Sequence, residues 1–164
     1  MTQRDKDYEI ERILGEFTPL LARIAASYEF DIRLREDLLQ DISLAVWRAL
    51  DSFKHEASIK TYIAKIAHNR GVDHALKQSK HNQKLVEIDE DMHGTFLNNT
   101  QNQSRDEKLD LMSALERLSL KNRQVMTMQL EGFNHKEIAT ILGLSEDAVG
   151  KRVTRARQAL AQWL

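Results

Sequence analysis

This chain of 164 residues has no cysteine, which removes disulfides, thiolate zinc sites and thiol redox chemistry. It has one proline and six glycines, few enough to suit an all-helical protein, and no stretch shows convincing β alternation. No run approaches the roughly 20 apolar residues needed to cross a bilayer, so membrane insertion is not expected. The opening MTQRDKDYEIE is polar and mixed in charge, unlike a secretory leader, which makes a cytoplasmic protein the default expectation. The chain also lacks a charge excess, with a net charge of −1. What it does have is 41% apolar residues, enough to build real cores and to argue against global disorder.

The near-zero charge hides a gradient. Residues 1–80 hold 13 basic and 13 acidic residues, residues 81–106 hold 2 and 5, and residues 107–164 hold 9 and 7. Beyond Asp147 there are four cations, Lys151, Arg152, Arg155 and Arg157, and no acid. Local charge governs phosphate contact, so overall neutrality is a weak objection to DNA binding. It does argue against a tight, sequence-blind DNA coat and favours a protein held on DNA by a partner.

The basic tail ends the most informative stretch, HKEIATILGLSEDAVGKRVTRARQALAQWL (135–164). Ile138, Ala139 and Leu142 form one apolar edge, and Gly143 stops that helix because glycine takes a left-handed conformation cheaply. Ser145 can cap the next helix, Glu146 and Asp147 suit its positive end, and Val149, Val153, Ala156 and Leu160 repeat at helical spacing. This order of signals predicts a helix-turn-helix, whose second helix lies in the DNA major groove.

Two helical modules flank a polar connector. Residues 80–107 are rich in Asn, Gln, Asp and Glu without a sustained period and are expected to form a flexible linker. The first module, residues 1–80, is predicted to hold helices over Asp7–Glu16, from Thr18-Pro19 to Tyr28, over Leu34–Ser52 and over Ser58–Gln78. The second, residues 107–164, is predicted to hold helices near Asp106–Leu118 and Lys121–Leu130 ahead of the helix-turn-helix. The expected fold class is therefore all-α, two small helical bundles joined by the linker at 81–106.

Two surfaces stand out in the first module. In EDLLQDISLAVWRALDSF, Leu38, Leu39, Ile42, Ala45, Val46, Ala49 and Leu50 make a broad apolar side that must face a core. The opposite side carries Asp37, Gln40, Asp41, Leu44, Arg48 and Asp51, with Trp47 at its border. An apolar residue among carboxylates suits docking of a basic helical partner, although single exposed leucines are common. Asp37 and Asp41 lack the third ligand a metal would need on that helix. In the next helix Ile59, Tyr62, Ile63, Ile66 and Ala67 are expected to fill the core face, and Lys60, Thr61, Lys65, His68, Asn69 and Asp73 the other. That mixture of ammonium, hydroxyl, imidazole and amide can address both base edges and phosphates. The loop before it, with His55 and Ser58, has small polar groups suited to holding an unstacked base.

Together these segments resemble a bacterial RNA polymerase sigma factor of the extracytoplasmic-function class, over nearly the whole chain. DLLQDISLAVWRALDSF is similar to the family's region 2.2, KTYIAKIAHNRGVDHALK to regions 2.3 and 2.4, and residues 114–160 to region 4. The resemblance implies a protein without catalytic residues, metal or cofactor. It would bind core RNA polymerase at the β′ coiled coil and β flap, and promoter DNA at the minus-ten and minus-35 elements. Carried over by position, the polymerase contacts would be Asp37, Gln40, Asp41, Leu44, Trp47 and Arg48. The minus-ten contacts would be His55, Ser58, Lys60, Thr61, Tyr62, Lys65, His68, Asn69 and Asp73. The minus-35 contacts would be Ser145, Glu146, Ala148, Lys151, Arg152, Arg155 and Arg157. An anti-sigma factor is a common family partner. Departures from the pattern are Tyr62 where tryptophan is usual, His68 where arginine is common, and Gly150 where lysine is frequent.

Two other classes compete with this expectation. A stand-alone helix-turn-helix regulator would use only the C-terminal module and bind duplex DNA without polymerase. A metal-dependent nuclease would need a ligand set, but the chain has no phosphate-binding glycine loop, no HExxH and no nucleophile beside a base.

Overall fold

The computed structural model describes residues 2–82 and 107–163, and the expected linker lies almost wholly outside them. The described residues form helices and no strand: α1 (Gln3–Tyr28), α2 (Ile32–Leu50), α3 (Ile59–Asn82), α4 (Glu107–Arg117), α5 (Leu120–Leu130), α6 (His135–Leu142) and α7 (Glu146–Ala161). The chain resolves into two compact units, the first built on α1, α2 and the body of α3, the second on α4, α5, α7 and the first turns of α6. No helix among the described residues is long and apolar enough to cross a membrane.

The first two expected helices are one. Pro19 lies inside α1, where it lacks the N–H that would reach the carbonyl of Gly15. A proline there costs about 3 kcal/mol in an isolated helix. The apolar stripe that crosses it, with Ile10, Leu20, Leu21, Ile24 and Ala25 buried, continues in phase on both sides. Burying one such side chain contributes about 1.5–3 kcal/mol, so a few of them outweigh the proline. The Thr18 hydroxyl donates to the Leu14 carbonyl at 2.7 Å, adding a bond one residue before the gap.

Asp31 caps α2 by accepting from the Arg33 and Leu34 amides. The helix then buries Leu38, Ile42, Val46 and Leu50, a single stripe of i, i+4 steps. Helix α3 buries Ile63 and Ala67 as expected, but its core side is rotated from the one expected. Its buried residues are Thr61, Ile63, Ala64, Ala67, His68 and Gly71, while Ile59, Tyr62 and Ile66 are only half-buried. The core side is turned by roughly 100°, one residue's rotation, from the stripe of large aliphatics. Small residues decide this: Gly71 faces the ring of Tyr28 at the end of α1, and an added Cβ would lie 2.3 Å from Tyr28 Cδ2.

In the second unit Ser119 caps α5 and Asn134 caps α6. Asn134 and Glu137 bond reciprocally, Glu137 N to Asn134 Oδ1 at 2.8 Å and Asn134 N to Glu137 Oε1 at 2.9 Å. Gly143 ends α6 in the left-handed region, with φ 71° and ψ 37°. Ser145 Oγ accepts from the Ala148 amide at 3.1 Å, and α7 buries Val149, Val153, Ala156 and Leu160. The Arg117 guanidinium lies 4.6 Å from the ring centre of Trp163 and ties the chain end to α4.

Candidate functional site

Three exposed surfaces hold the residues of interest. On α2, Asp37, Gln40, Asp41 and Arg48 are exposed, Leu44 retains 48% of its surface, and Trp47 is half-buried. At about 100° per residue these six fall within an arc of roughly 120°, centred opposite the buried stripe. They therefore form one continuous face. Arg70 of α3 reaches its edge, with Nη1 3.9 Å from Asp41 Oδ1, a loose exposed pair that contributes little to stability.

The second surface is the outer side of α3 with the turn before it. Lys65, Asn69 and Asp73 are exposed and follow one another at i, i+4, i+8. Four expected neighbours do not join them freely. Thr61 is 5% exposed and its hydroxyl accepts from Ser58 Oγ at 2.9 Å, while Ser58 Oγ accepts from the Thr61 amide. Both are occupied in starting α3, as an N-cap pair. Lys60 is half-buried and lies roughly 140° around the helix from Lys65. His68 is 7% exposed, and its Nδ1 is hydrogen-bonded to the Tyr28 hydroxyl. Burial pushes its pKa down to about 4, so the ring is neutral at neutral pH. The expectation that Thr61 and His68 line the exposed side is therefore corrected. Each has a polar partner, Ser58 for Thr61 and Tyr28 for His68, and that hydrogen bond offsets the cost of burying it.

Tyr62 is half-buried, and its hydroxyl donates to the Ala49 carbonyl at 3.1 Å. Its ring lies 4.6 Å from that of Phe53, which lies 4.4 Å from that of His55. His55 is exposed and takes φ 59°, the left-handed region that favours glycine, which turns its ring back onto Phe53. Tyr28 and Gly71 were not flagged by sequence reading. A glycine interrupting a helical pattern was the available sign.

The third surface is on α7. Ala148, Lys151, Arg152 and Arg155 fall within an arc of roughly 100°, away from the buried quartet. Ser145 and Glu146 open the helix and are exposed. Arg157, two residues beyond Arg155, points about 160° away from it and does not share the row. Among the described residues no three of His, Asp and Glu come together as metal ligands.

The chain thus has two helical units, with a mixed acidic and apolar face on α2, a polar face on α3 and a basic row on the second helix of a helix-turn-helix. Residues 13–81 match Sigma-70 region 2, and residues 108–160 match Sigma-70, region 4. RNA polymerase sigma factor NccH of Alcaligenes xylosoxydans xylosoxydans is 31% identical over 165 residues, covering 96% of this chain and 87% of NccH. ECF RNA polymerase sigma factor SigM of Mycobacterium tuberculosis is 27% identical over 88% of this chain and 69% of its own length. Among solved structures, the sigma factor RpoE in complex with the anti-sigma factor NepR from Bartonella quintana is similar with a TM-score of 0.74 at 26% identity. That match covers 94% of this chain and 96% of RpoE. The chain belongs to the extracytoplasmic-function sigma factors of the sigma-70 family, and directs transcription initiation.

Proposed function

We propose that the chain divides this work among its three faces, within domains at 1–80 and 107–164 and a connector at 81–106. The face of Asp37, Gln40, Asp41, Leu44, Trp47 and Arg48 docks on the β′ coiled coil of core polymerase. Carboxylates steer a basic helix to it, and Leu44 with the edge of Trp47 supplies the apolar contact. Lys65, Asn69 and Asp73, with the turn at His55 to Ser58, hold the opened minus-ten strand. Lys151, Arg152 and Arg155 contact the minus-35 element, two weak grips whose tethering raises effective concentration. No covalent step is asked of this chain, which works in the cytoplasm alongside the polymerase. A restraining anti-sigma factor, like the one bound to RpoE, would act by covering the same faces.

The observation that carries this reading is the α2 face, six residues in one arc with Leu44 half exposed among acids. A regulator acting through α7 alone has no use for it. Asp41→Ala combined with Leu44→Ala should abolish capture of core polymerase and directed transcription in vitro, while circular dichroism stays unchanged. Unchanged capture would reject the assignment.

A further inference from the structure

We propose that Tyr28, Gly71 and His68 form a seat that sets the rotation and depth of α3, and that His68 serves promoter opening as a positioning residue, without touching DNA. The inference rests on reading α3 as the helix that holds the opened strand.

Tyr28 is the last residue of α1 and is buried. It meets α3 at two points one turn apart. Its ring lies directly over Gly71, where a Cβ would fall 2.3 Å from Cδ2 and 2.6 Å from Cγ. Its hydroxyl is bonded to His68 Nδ1, with the two ring centres 5.9 Å apart. The glycine contact limits how closely the helices approach, and the histidine contact limits how α3 can roll. A further turn along, His74 Nε2 lies 2.7 Å from Glu29 Oε1. Arg35 Nε and Nη2 donate to the Glu29 and Phe30 carbonyls, both at 3.1 Å, which fastens the same corner to α2. The corner between α1 and α2 thus joins the helix with the docking face to the helix with the reading face.

His68 is well placed to transmit this constraint. It directly precedes Asn69 and lies one turn after Lys65, the two exposed polar residues of α3 nearest to it. A roll of about 30° would carry a side-chain tip some 5–6 Å from the helix axis through about 3 Å. That is a whole hydrogen-bond length, enough to lose a contact. The buried, uncharged ring itself offers DNA neither a surface nor a cation.

The test uses holoenzyme assembled from core polymerase and the full chain, with permanganate reactivity of unpaired thymines reporting promoter opening. Tyr28→Phe removes only a hydroxyl that cannot reach DNA, and His68→Leu removes the ring nitrogen. Each should reduce opening by about five- to tenfold, the size of one net hydrogen bond. The pair together should lose no more than either alone, and His68→Asn, which keeps an acceptor near the Nδ1 position, should recover most of the activity. Capture of core polymerase should not change, and circular dichroism at the assay temperature should show each variant folded. Full opening by Tyr28→Phe alongside loss in His68→Leu would mean that His68 meets DNA directly and would overturn the proposal. So would additive losses, or normal opening by both. Asn69→Ala tests the underlying reading separately: normal opening there removes α3 as the reading helix, whatever the seat does.

Discussion

Replacing Gly71 by alanine tests the packing of the first unit at its tightest point. The new Cβ would lie 2.3 Å from Tyr28 Cδ2 and 2.6 Å from both Cε2 and Cγ. Carbon atoms in ordinary contact stand about 3.5–4.0 Å apart, so something must move by more than 1 Å. Cγ is the root of the ring rather than its free end, and the hydroxyl at the far end is bonded to His68. The ring therefore cannot swing aside without breaking that bond or shifting α1. Overpacking of this kind costs about 1–3 kcal/mol, whereas alanine in place of a helical glycine returns up to about 1 kcal/mol. The balance is a loss of about 1–2 kcal/mol, or roughly 5–15 °C in Tm for a unit of this size. The two tryptophans, Trp47 in α2 and Trp163 beyond α7, make the assay clean. In a Trp163→Phe background, Trp47 fluorescence reports thermal unfolding of the first unit alone. Tyr28→Leu, which shortens the ring side chain, should make the same glycine change less damaging. A Gly71→Ala protein that melts at or above the parent would refute the reasoning, since the propensity gain would then face no steric opposition.

Several smaller changes have defined expectations. His68 titrates near 4 when folded and near 6.5 when unfolded, so the unfolded chain binds more protons between those values. Stability of the first unit should therefore be level above pH 6.5 and fall as pH drops towards 4, by up to about 3 kcal/mol. Denaturant midpoints across that range, compared with His68→Asn, check this, and parallel curves would rule it out. Gly150→Ala meets nothing nearer than His135 Nδ1 at 3.9 Å, an ordinary contact. It should stabilise α7 by up to about 1 kcal/mol, read as a rise in the Tm of the second unit by Trp163 fluorescence in a Trp47→Phe background. Thr127 Oγ1 is buried and has no hydrogen-bond partner among the described residues, so Thr127→Val should raise the same Tm, by about 1 kcal/mol in stability terms. Arg152→Ala or Arg155→Ala should lower the salt slope of promoter binding by about one per lost phosphate contact, whereas Arg157→Ala should alter it less, as filter binding across salt concentrations would show.

The helix-turn-helix was legible because each of its parts announces itself locally. Gly143, Ser145 and the quartet at Val149, Val153, Ala156 and Leu160 need no distant partner to do their work, and all take the expected places. The stripe of α2 was legible for the same reason, its aliphatics being large and evenly spaced. Helix α3 was legible only in part: Ile63 and Ala67 take their expected core places, but the core side is rotated because it depends on Tyr28, some 40 residues away, which needs a glycine and a histidine rather than leucines. Continuity of α1 through Pro19 was likewise decided by tertiary burial over local preference. Arg157 is among the minus-35 contacts that the resemblance implies, and two residues along a helix turn its side chain almost to the opposite side from Arg155.

Tyr62 is engaged at both ends, its hydroxyl on the Ala49 carbonyl and its ring on Phe53. Its freedom to drift under mutation is correspondingly small. The neighbouring Lys54, His55, Glu56 and Ala57 are all exposed. Under the proposed reading, in which that turn holds an unstacked base, lineages descending from this chain can explore new base preferences by altering it, while the scaffold beneath is inherited untouched.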